Sequence, residues 1–279
     1  MFSVPKAPAS DFLGRFREIV SDPLNLLIER HPLAGYVDGG YVYLHNGLKV
    51  AANGKHAYYE NFSDILVINR GVHEPIEEYA FQELLARLPE SPRMLELGAY
   101  WGHYSMWLKL IRPEAKVHLV EPDEANLEVG KKNFETNGFT GSFELAFVGT
   151  GKFTVDDYFK RDGIGHLDVL HSDIQGYELE MLAGCSEALQ QRRIDYVFIS
   201  THWQTLHQQV VARLREHGYR VEISSDFDHE TTSFDGFVFA SSPEKAPVFQ
   251  GFAPLSRREI AAATPKERVS FLAGLNDRL

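Results

Sequence analysis

From residue 91 onward the chain keeps a strict rhythm that few architectures can satisfy. Short apolar runs alternate with helical patterns. "RMLEL" precedes a helix through "YSMWLKLI", and "VHLVE" precedes "DEANLEVGKKNFETN". "FELAFV" follows, then "LDVLHS" before "YELEMLAGCSEALQ", and "DYVFIS" before "TLHQQVVARLREHG". Such β-α alternation demands a mostly parallel sheet with helices on both faces. Gly138 and Gly218 stand where two of these helices should stop. The last two runs, "YRVEIS" and "SFDGFVFAS", leave no room for a crossover helix and should pair antiparallel at one edge.

The flanks read differently. Residues 1–90 form an N-terminal region in which "YVYLHNGLKVAA" predicts a hairpin about Asn46-Gly47, and "DILVIN" predicts a further short strand. "EPIEEYAFQELLARL" predicts a lead-in helix with Ile76, Tyr79, Ala80, Leu84 and Leu88 on one face. Pro75 suits its first turn, and acids at 74, 77 and 78 suit its positive end. Residues 91–241 make the α/β core, and 242–279 a C-terminal helical tail.

Composition removes several function classes. A net charge of -11 argues against general affinity for nucleic acid or anionic membranes, which requires a concentrated basic surface. The start "MFSVPKAPASDFLGRF" has no apolar signal core, and no window approaches the ~18 uninterrupted apolar residues of a membrane span. A single cysteine, Cys185, excludes an internal disulfide. The expectation is a cytoplasmic protein; its oligomeric state is not legible.

"LELGAYWGHYS" ends the first core strand and opens a helix. Gly98 and Gly102 let the backbone approach a ligand, and the helix N-terminus adds donors. The spacing Glu96-x-Gly98-x-x-x-Gly102 is not the three-glycine dinucleotide pattern. The second strand ends "VHLVEPDEAN", which places Glu121 where an acid accepts hydrogen bonds from a ribose diol. Together these point to a nucleoside-containing ligand.

The segments "MLELGAYWGHYS", "VEPDEANL", "FTVDDYF" and "LDVLHSDIQGYELEMLAG" resemble a class I S-adenosylmethionine-dependent methyltransferase, and within that class the FkbM family. The last segment is similar to the family's K-I-D-V-E-G-x-E-x-x-x-L-x-G, with Asp173, Gly176, Glu178, Leu182 and Gly184 matching. "RGVHEPIEEYAFQELL" resembles the family's lead-in helix. The resemblance implies a Rossmann-like sheet of seven strands, the last antiparallel. It implies that Glu96, Gly98, Ala99 and Gly102 line the methionine end of S-adenosylmethionine and that Glu121 holds its ribose. Pro122, Asp123, Ala146 and Phe147 would flank the adenine. Two departures stand out: the loop between "FELAFVG" and "FTVDDYF" is short, and His171-Ser172-Asp173 replaces the usual Lys-Ile-Asp.

Side chains alternate along a strand, so His171 and Asp173 should face the same side at the carboxyl end of their strand. "DYVFIS" runs on into "THWQTLH", which brings His202 to the neighbouring strand end, with His207 one turn further. Three readings of His171, Asp173 and His202 stay open. A histidine oriented by a carboxylate suits general-base removal of a hydroxyl proton. Two histidines and a carboxylate also suit a divalent metal. Alternatively Asp173 caps the next helix and the histidines are ordinary strand-end residues. Secondary candidates are His73, Glu74, Glu77 and Glu78 ahead of the core, Asp228, Glu230 and Asp235 in an acidic loop, and Tyr100, Trp101 and Trp203 as pocket walls. The expected function is O-methylation of a small hydroxylated substrate, a sugar or polyketide-type metabolite. The alternatives are N-methylation or a non-catalytic binding protein of the same fold.

Overall fold

The computed structural model describes residues 12–58, 63–228 and 231–276. The N-terminal region holds α1 (Phe12–Ser21), a 3-10 turn at Pro23–Leu26, and a small antiparallel sheet of β1 (Val37–Asp38), β2 (Tyr41–Tyr43) and β3 (Lys49–Ala51). Helices α2 (Asp64–Ile68) and α3 (Pro75–Leu85) follow. The core runs β4 (Arg93–Leu97), α4 (His103–Ile111), β5 (Lys116–Glu121), α5 (Glu124–Thr136), β6 (Ser142–Leu145) and α6 (Val155–Arg161). It continues through β7 (Leu167–Ser172), α7 (Glu178–Ala183), α8 (Ser186–Gln190), β8 (Ile194–Thr201), α9 (Gln204–Glu216), β9 (Arg220–Ser225) and β10 (Gly236–Ser241). The tail carries α10 (Arg257–Ala262) and α11 (Pro265–Asn276).

The large sheet has seven strands in the order β6-β5-β4-β7-β8-β10-β9. All neighbouring pairs are parallel except those of β10, which inserts antiparallel between β8 and β9. The order reverses between β4 and β7, and at such a switch point the strand-end loops diverge and open a crevice. The hairpin forms as its turn residues predict, with Val42 opposite Val50 and Gly47 at φ +90°. Gly138 and Gly218 end α5 and α9 in the left-handed region.

Two expectations change. "DILVIN" is not a strand: Asp64–Ile68 is the helix α2, with Asp64 in its first turn. A short apolar run bears no period, and here neighbouring packing rather than sequence decides its form. The helix expected through "YELEMLAGCSEALQ" breaks at Gly184-Cys185 into α7 and α8.

Each strand sends alternate residues into one of two buried clusters. Leu95, Leu97, Leu170, Val197 and Ile199 pack with α6 to α9. Met94, Val169, Tyr196 and Phe198 pack on the other face with α3, α4 and the N-terminal hairpin, joined by Val248, Phe249 and Phe252 from the tail. On that second face the apolar rows turn polar at the strand ends. Met94 is followed two residues on by Glu96, Val169 by His171, and Phe198 by Ser200, all buried. The N-terminal region therefore roofs the polar end of the sheet. Among the described residues no helix is long and apolar enough to cross a membrane.

Gly71 locks this roof. At φ +82°, a Cβ on it would lie 2.2 Å from the backbone nitrogen of His45 and 2.4 Å from the carbonyl carbon of Leu44. Both obstacles are backbone and cannot rotate away. Gly71→Ala should lower unfolding free energy by at least about 2 kcal/mol, as measured by urea denaturation.

Candidate active site

A cleft opens at the switch point between β4 and β7. Its walls include Glu96, Gly98, Ala99, Tyr100 and Trp101 from the turn after β4, and Glu121, Pro122 and Asn126 after β5. Phe147 and Val148 follow β6, His171, Asp173, Ile174 and Gln175 come from the β7 end, and Tyr58, His73, Glu74 and Glu77 from the roof. The turns after β4 and β7 meet with no clearance. A Cβ on Gly98 would sit 1.7 Å from the carbonyl oxygen of Asp173, and Gly98 has φ +70°. The Asp173 N–H donates to Leu97 O at 2.9 Å, extending the β4-β7 ladder to this contact.

His171 and Asp173 both face the cleft, as alternation requires, but at different depths. Two residues along a strand separate them by about 6.6 Å. The structure accordingly sorts the expected cluster into two tiers. In the deep tier His171 is 4% exposed and its Nε2 meets Glu77 Oε1 at 2.5 Å. Ser200 donates to the other Glu77 oxygen at 3.1 Å, and the Tyr104 ring lies 4.3 Å from the imidazole. Burial opposes a charge on His171, yet Glu77 outweighs it and raises the imidazole pKa. Glu96 is also buried here and accepts the Ser105 N–H at 3.0 Å, within the first turn of α4. Burial raises its pKa, against the pull of His171 and Ser105.

In the rim tier His202 takes its place beside Asp173, and the third member is Asp235 rather than His171. His202 Nε2 lies 3.1 Å from Asp173 Oδ1 and 3.7 Å from Asp235 Oδ1, and its Nδ1 lies 3.0 Å from Glu178 Oε1. These are ion-pair distances, but neither ring nitrogen is aligned with a hydrogen-bond partner among the described residues. Burial disfavours the imidazolium, but Asp173 and Glu178 lift the His202 pKa to about 10. Burial, with the neighbouring Asp173 charge, lifts Asp235 to about 7. One atom each from Asp173, His202 and Asp235 falls within 4.8 Å of the others, a spacing that suits a metal ion.

The expected cofactor residues divide by position. Glu96, Gly98, Ala99, Glu121, Pro122 and Phe147 line the cleft. Glu121 is anchored from below, accepting from Tyr100 N at 3.0 Å, Asp123 N at 3.1 Å and Asn126 Nδ2 at 3.4 Å. Asp123 instead caps α5, accepting from Asn126 N at 3.0 Å. Gly102 enters α4 at φ +71° against Leu119 and Phe134, behind the cleft wall. Ala146 packs against the α6–α9 face of the sheet. The residues fit S-adenosylmethionine in their chemistry: a left-handed glycine turn leading into a helix N-terminus beside the cleft, and a carboxylate held at the end of β5.

Other candidates scatter. His207 bridges Thr201 Oγ1 and Ser224 Oγ, each at 2.9 Å, and burial depresses its pKa to about 4, so it is a core histidine. Tyr100 and Trp101 line the cleft, while Trp203 lies half exposed over Gly176. Asp228 is exposed, and Glu230 lies outside the described residues. Ser200, Tyr104 and Asn126 had no signal of their own in the sequence. Ser200 was accessible by alternation, two residues before His202 on the same strand face.

Residues 151–221 match the family described as the methyltransferase FkbM domain. No curated protein matches the chain by sequence. Among solved structures it is similar to a precorrin-6y C5,15-methyltransferase from Geobacter metallireducens, at 16% identity over 60% of this chain and 88% of that one, TM-score 0.45. It is also similar to M. capricolum TrmK bound to S-adenosyl-homocysteine, at 13% identity over 70% and 81%, TM-score 0.42. A third is the N-terminal domain of EvdMO1 with the same product bound, at 19% identity over 58% and 79%, TM-score 0.42. The matched segment runs from α6 to the start of β9, so the likeness to the FkbM methyltransferase domain covers about a quarter of the chain, within the seven-stranded α/β sheet.

Two predictions follow from this geometry. Gly98→Ala should weaken S-adenosylmethionine binding at least roughly tenfold by calorimetry, because the turns must part to admit the methyl group. The second concerns pH. The raised His202 pKa means that its stabilising contribution is complete below the ordinary histidine range and lost as pH climbs to about 10. In chelator, the urea midpoint should fall between about pH 7 and pH 10 for the native chain, and less so for His202→Asn.

Proposed function

We propose that the protein is an O-methyltransferase that transfers the methyl group of S-adenosylmethionine to a hydroxyl of a small molecule, a sugar or polyketide-type metabolite, with help from a divalent cation. The observation that carries this reading is the Asp173–His202–Asp235 group at the rim of the cofactor cleft. Two carboxylates and an imidazole suit a hard or borderline divalent ion, and three protein ligands leave positions open for substrate oxygens. A cation there also answers the unaligned nitrogens of His202 and the surplus of negative charge from Asp173, Asp235 and Glu178.

Bound S-adenosylmethionine supplies an electrophilic methyl on a sulfonium sulfur. The chain's own residues supply position and charge. The Gly98 turn and Glu96 would hold the methionine end, Glu121 the ribose, and Pro122 and Phe147 the adenine side. Glu77, His171 and Ser200 make a rigid floor that keeps Asp173 at fixed height. Asp173, His202 and Asp235 would hold the cation, which when bound would lower the pKa of a substrate hydroxyl, and would orient that oxygen toward the methyl group. In this reading residues 91–241 carry the reaction, and residues 1–90 close the deep side of the cleft. A net charge of -11 supports a small substrate over nucleic acid.

One observation favours a second reading. Asp235, with its pKa near 7, is poised to take a hydroxyl proton without any metal. Chelation separates the two. The metal-assisted reading predicts loss of at least ~90% of activity in chelator and recovery with one divalent ion. It also predicts that His202→Ala lowers kcat about 100-fold or more while affinity for S-adenosylmethionine is kept. Full activity after thorough chelation would assign the proton to Asp235 and dismiss the cation.

A further inference from the structure

Behind the cleft, beneath the roof, lies a second histidine-carboxylate group that the transfer reaction does not use. His45 comes from the hairpin turn, Glu78 from the first turns of α3, and His103 is the first residue of α4. They are 1%, 0% and 0% exposed. One ligand atom from each lies within 4.8 Å of the other two. The separation of His45 Nε2 from Glu78 Oε2 is 3.0 Å, and the rings of His45 and His103 are 5.9 Å apart, edge to face.

Their polar atoms are left open. Among the described residues both ring nitrogens of buried His103 lack a hydrogen-bond partner, and His45 Nε2 and Glu78 Oε2 face each other at ion-pair distance without aligned hydrogen-bond geometry. A neutral imidazole without donor or acceptor partners is strongly disfavoured in a protein interior. The opposite oxygen of Glu78 is well satisfied. His73 Nδ1 lies 2.5 Å from Oε1, and the backbone N–H groups of His73 and Glu74 donate to it at 2.8 Å and 3.1 Å. One oxygen is thus fixed while the other faces His45 and the unpartnered imidazole of His103. Outer partners orient a metal-binding carboxylate in this way. A third group, His166, Asp168 and Asp195, contrasts with it, since Lys245 already sits 2.7 Å from Asp195.

We propose that His45, Glu78 and His103 bind a divalent metal ion, zinc by the chemistry of two imidazoles and one carboxylate, and that this ion is structural. Zinc takes nitrogen and oxygen ligands at about 2.0–2.2 Å, so small side-chain rotations bring the three groups onto one centre. Full burial leaves no path for a substrate. The ligands belong to three separate segments, so the ion ties the N-terminal hairpin and α3 to the start of α4, next to the cofactor turn.

The test uses the full chain with both rim carboxylates replaced, Asp173→Asn with Asp235→Asn, so that the rim group contributes no metal. The protein is unfolded in chelator, refolded without metal, and titrated with zinc or cobalt. The proposal expects about one tightly held zinc ion per chain by elemental analysis, visible cobalt bands of tetrahedral type, and a Tm rise of roughly 5 °C or more on zinc addition. Adding His103→Gln or Glu78→Gln to the rim variant should abolish all three effects. Should the first of these fail to fold, the second and the cobalt spectrum still decide. Refolded rim variant that takes up no zinc and shows no Tm change overturns the proposal. So does equal metal uptake after His103→Gln or Glu78→Gln.

Discussion

The turn after β4 and the turn after β7 touch backbone to backbone, and the rest of the site depends on that contact. Only a residue without a Cβ fits beneath the Asp173 carbonyl, so Gly98 sets how closely the two strand ends converge. This closeness puts Asp173 over the cofactor loop, and with it the rim group of His202 and Asp235. Were the turns further apart, the Asp173 group and the Gly98 turn would belong to different surfaces. Two crossovers of an open sheet are made into one site by the smallest side chain available.

The second organising constraint is charge. Glu74, Glu77, Glu78, Glu96 and Glu178 are buried or nearly so around one end of the sheet. Carboxylates leave water only when partnered. Glu77 has His171 and Ser200. Burial would raise the Glu78 pKa, but His45 and His73 hold it well below the usual range. Glu178 faces His202. Glu74 has the weaker contacts, to His73 at 3.4 Å and Tyr104 at 3.4 Å. Burial, with the charges of Glu77 and Asp235, pushes its pKa well up. Histidines supply the nearest side-chain partners of Glu77, Glu78 and Glu178.

Much of the core was legible because strand alternation and helix spacing are local. The β-α rhythm, the antiparallel final strand and the helix-ending glycines Gly138 and Gly218 all follow from short-range patterns. That Glu121 and Gly98 lie at the cleft was legible for the same reason, each being tied to a strand end. Depth was not. Alternation sets the side a residue faces but not its height, so His171 and Asp173 read as one cluster although Glu77 claims the deeper of them. Glu77 and Glu78 read as acids favoured by a helix N-terminus, because nothing local reveals that a histidine ninety residues away, or one in a hairpin, will meet them. "DILVIN" misled because four apolar residues have no period to distinguish a turn of helix from a strand.

The insertion of β10 between β8 and β9 has a consequence in time as well as space. Asp235 immediately precedes that strand, and Gly236 pairs with Thr201 at the end of β8, beside His202. During synthesis the cleft-lining turns after β4 and β5 emerge more than a hundred residues before this piece. The turns after β4 and β5 are therefore synthesised while the other end of the cleft still lacks Asp235. The Asp173–His202–Asp235 group is complete only once the last strand lies between β8 and the edge strand β9, so this end of the cleft is closed by the final strand of the sheet.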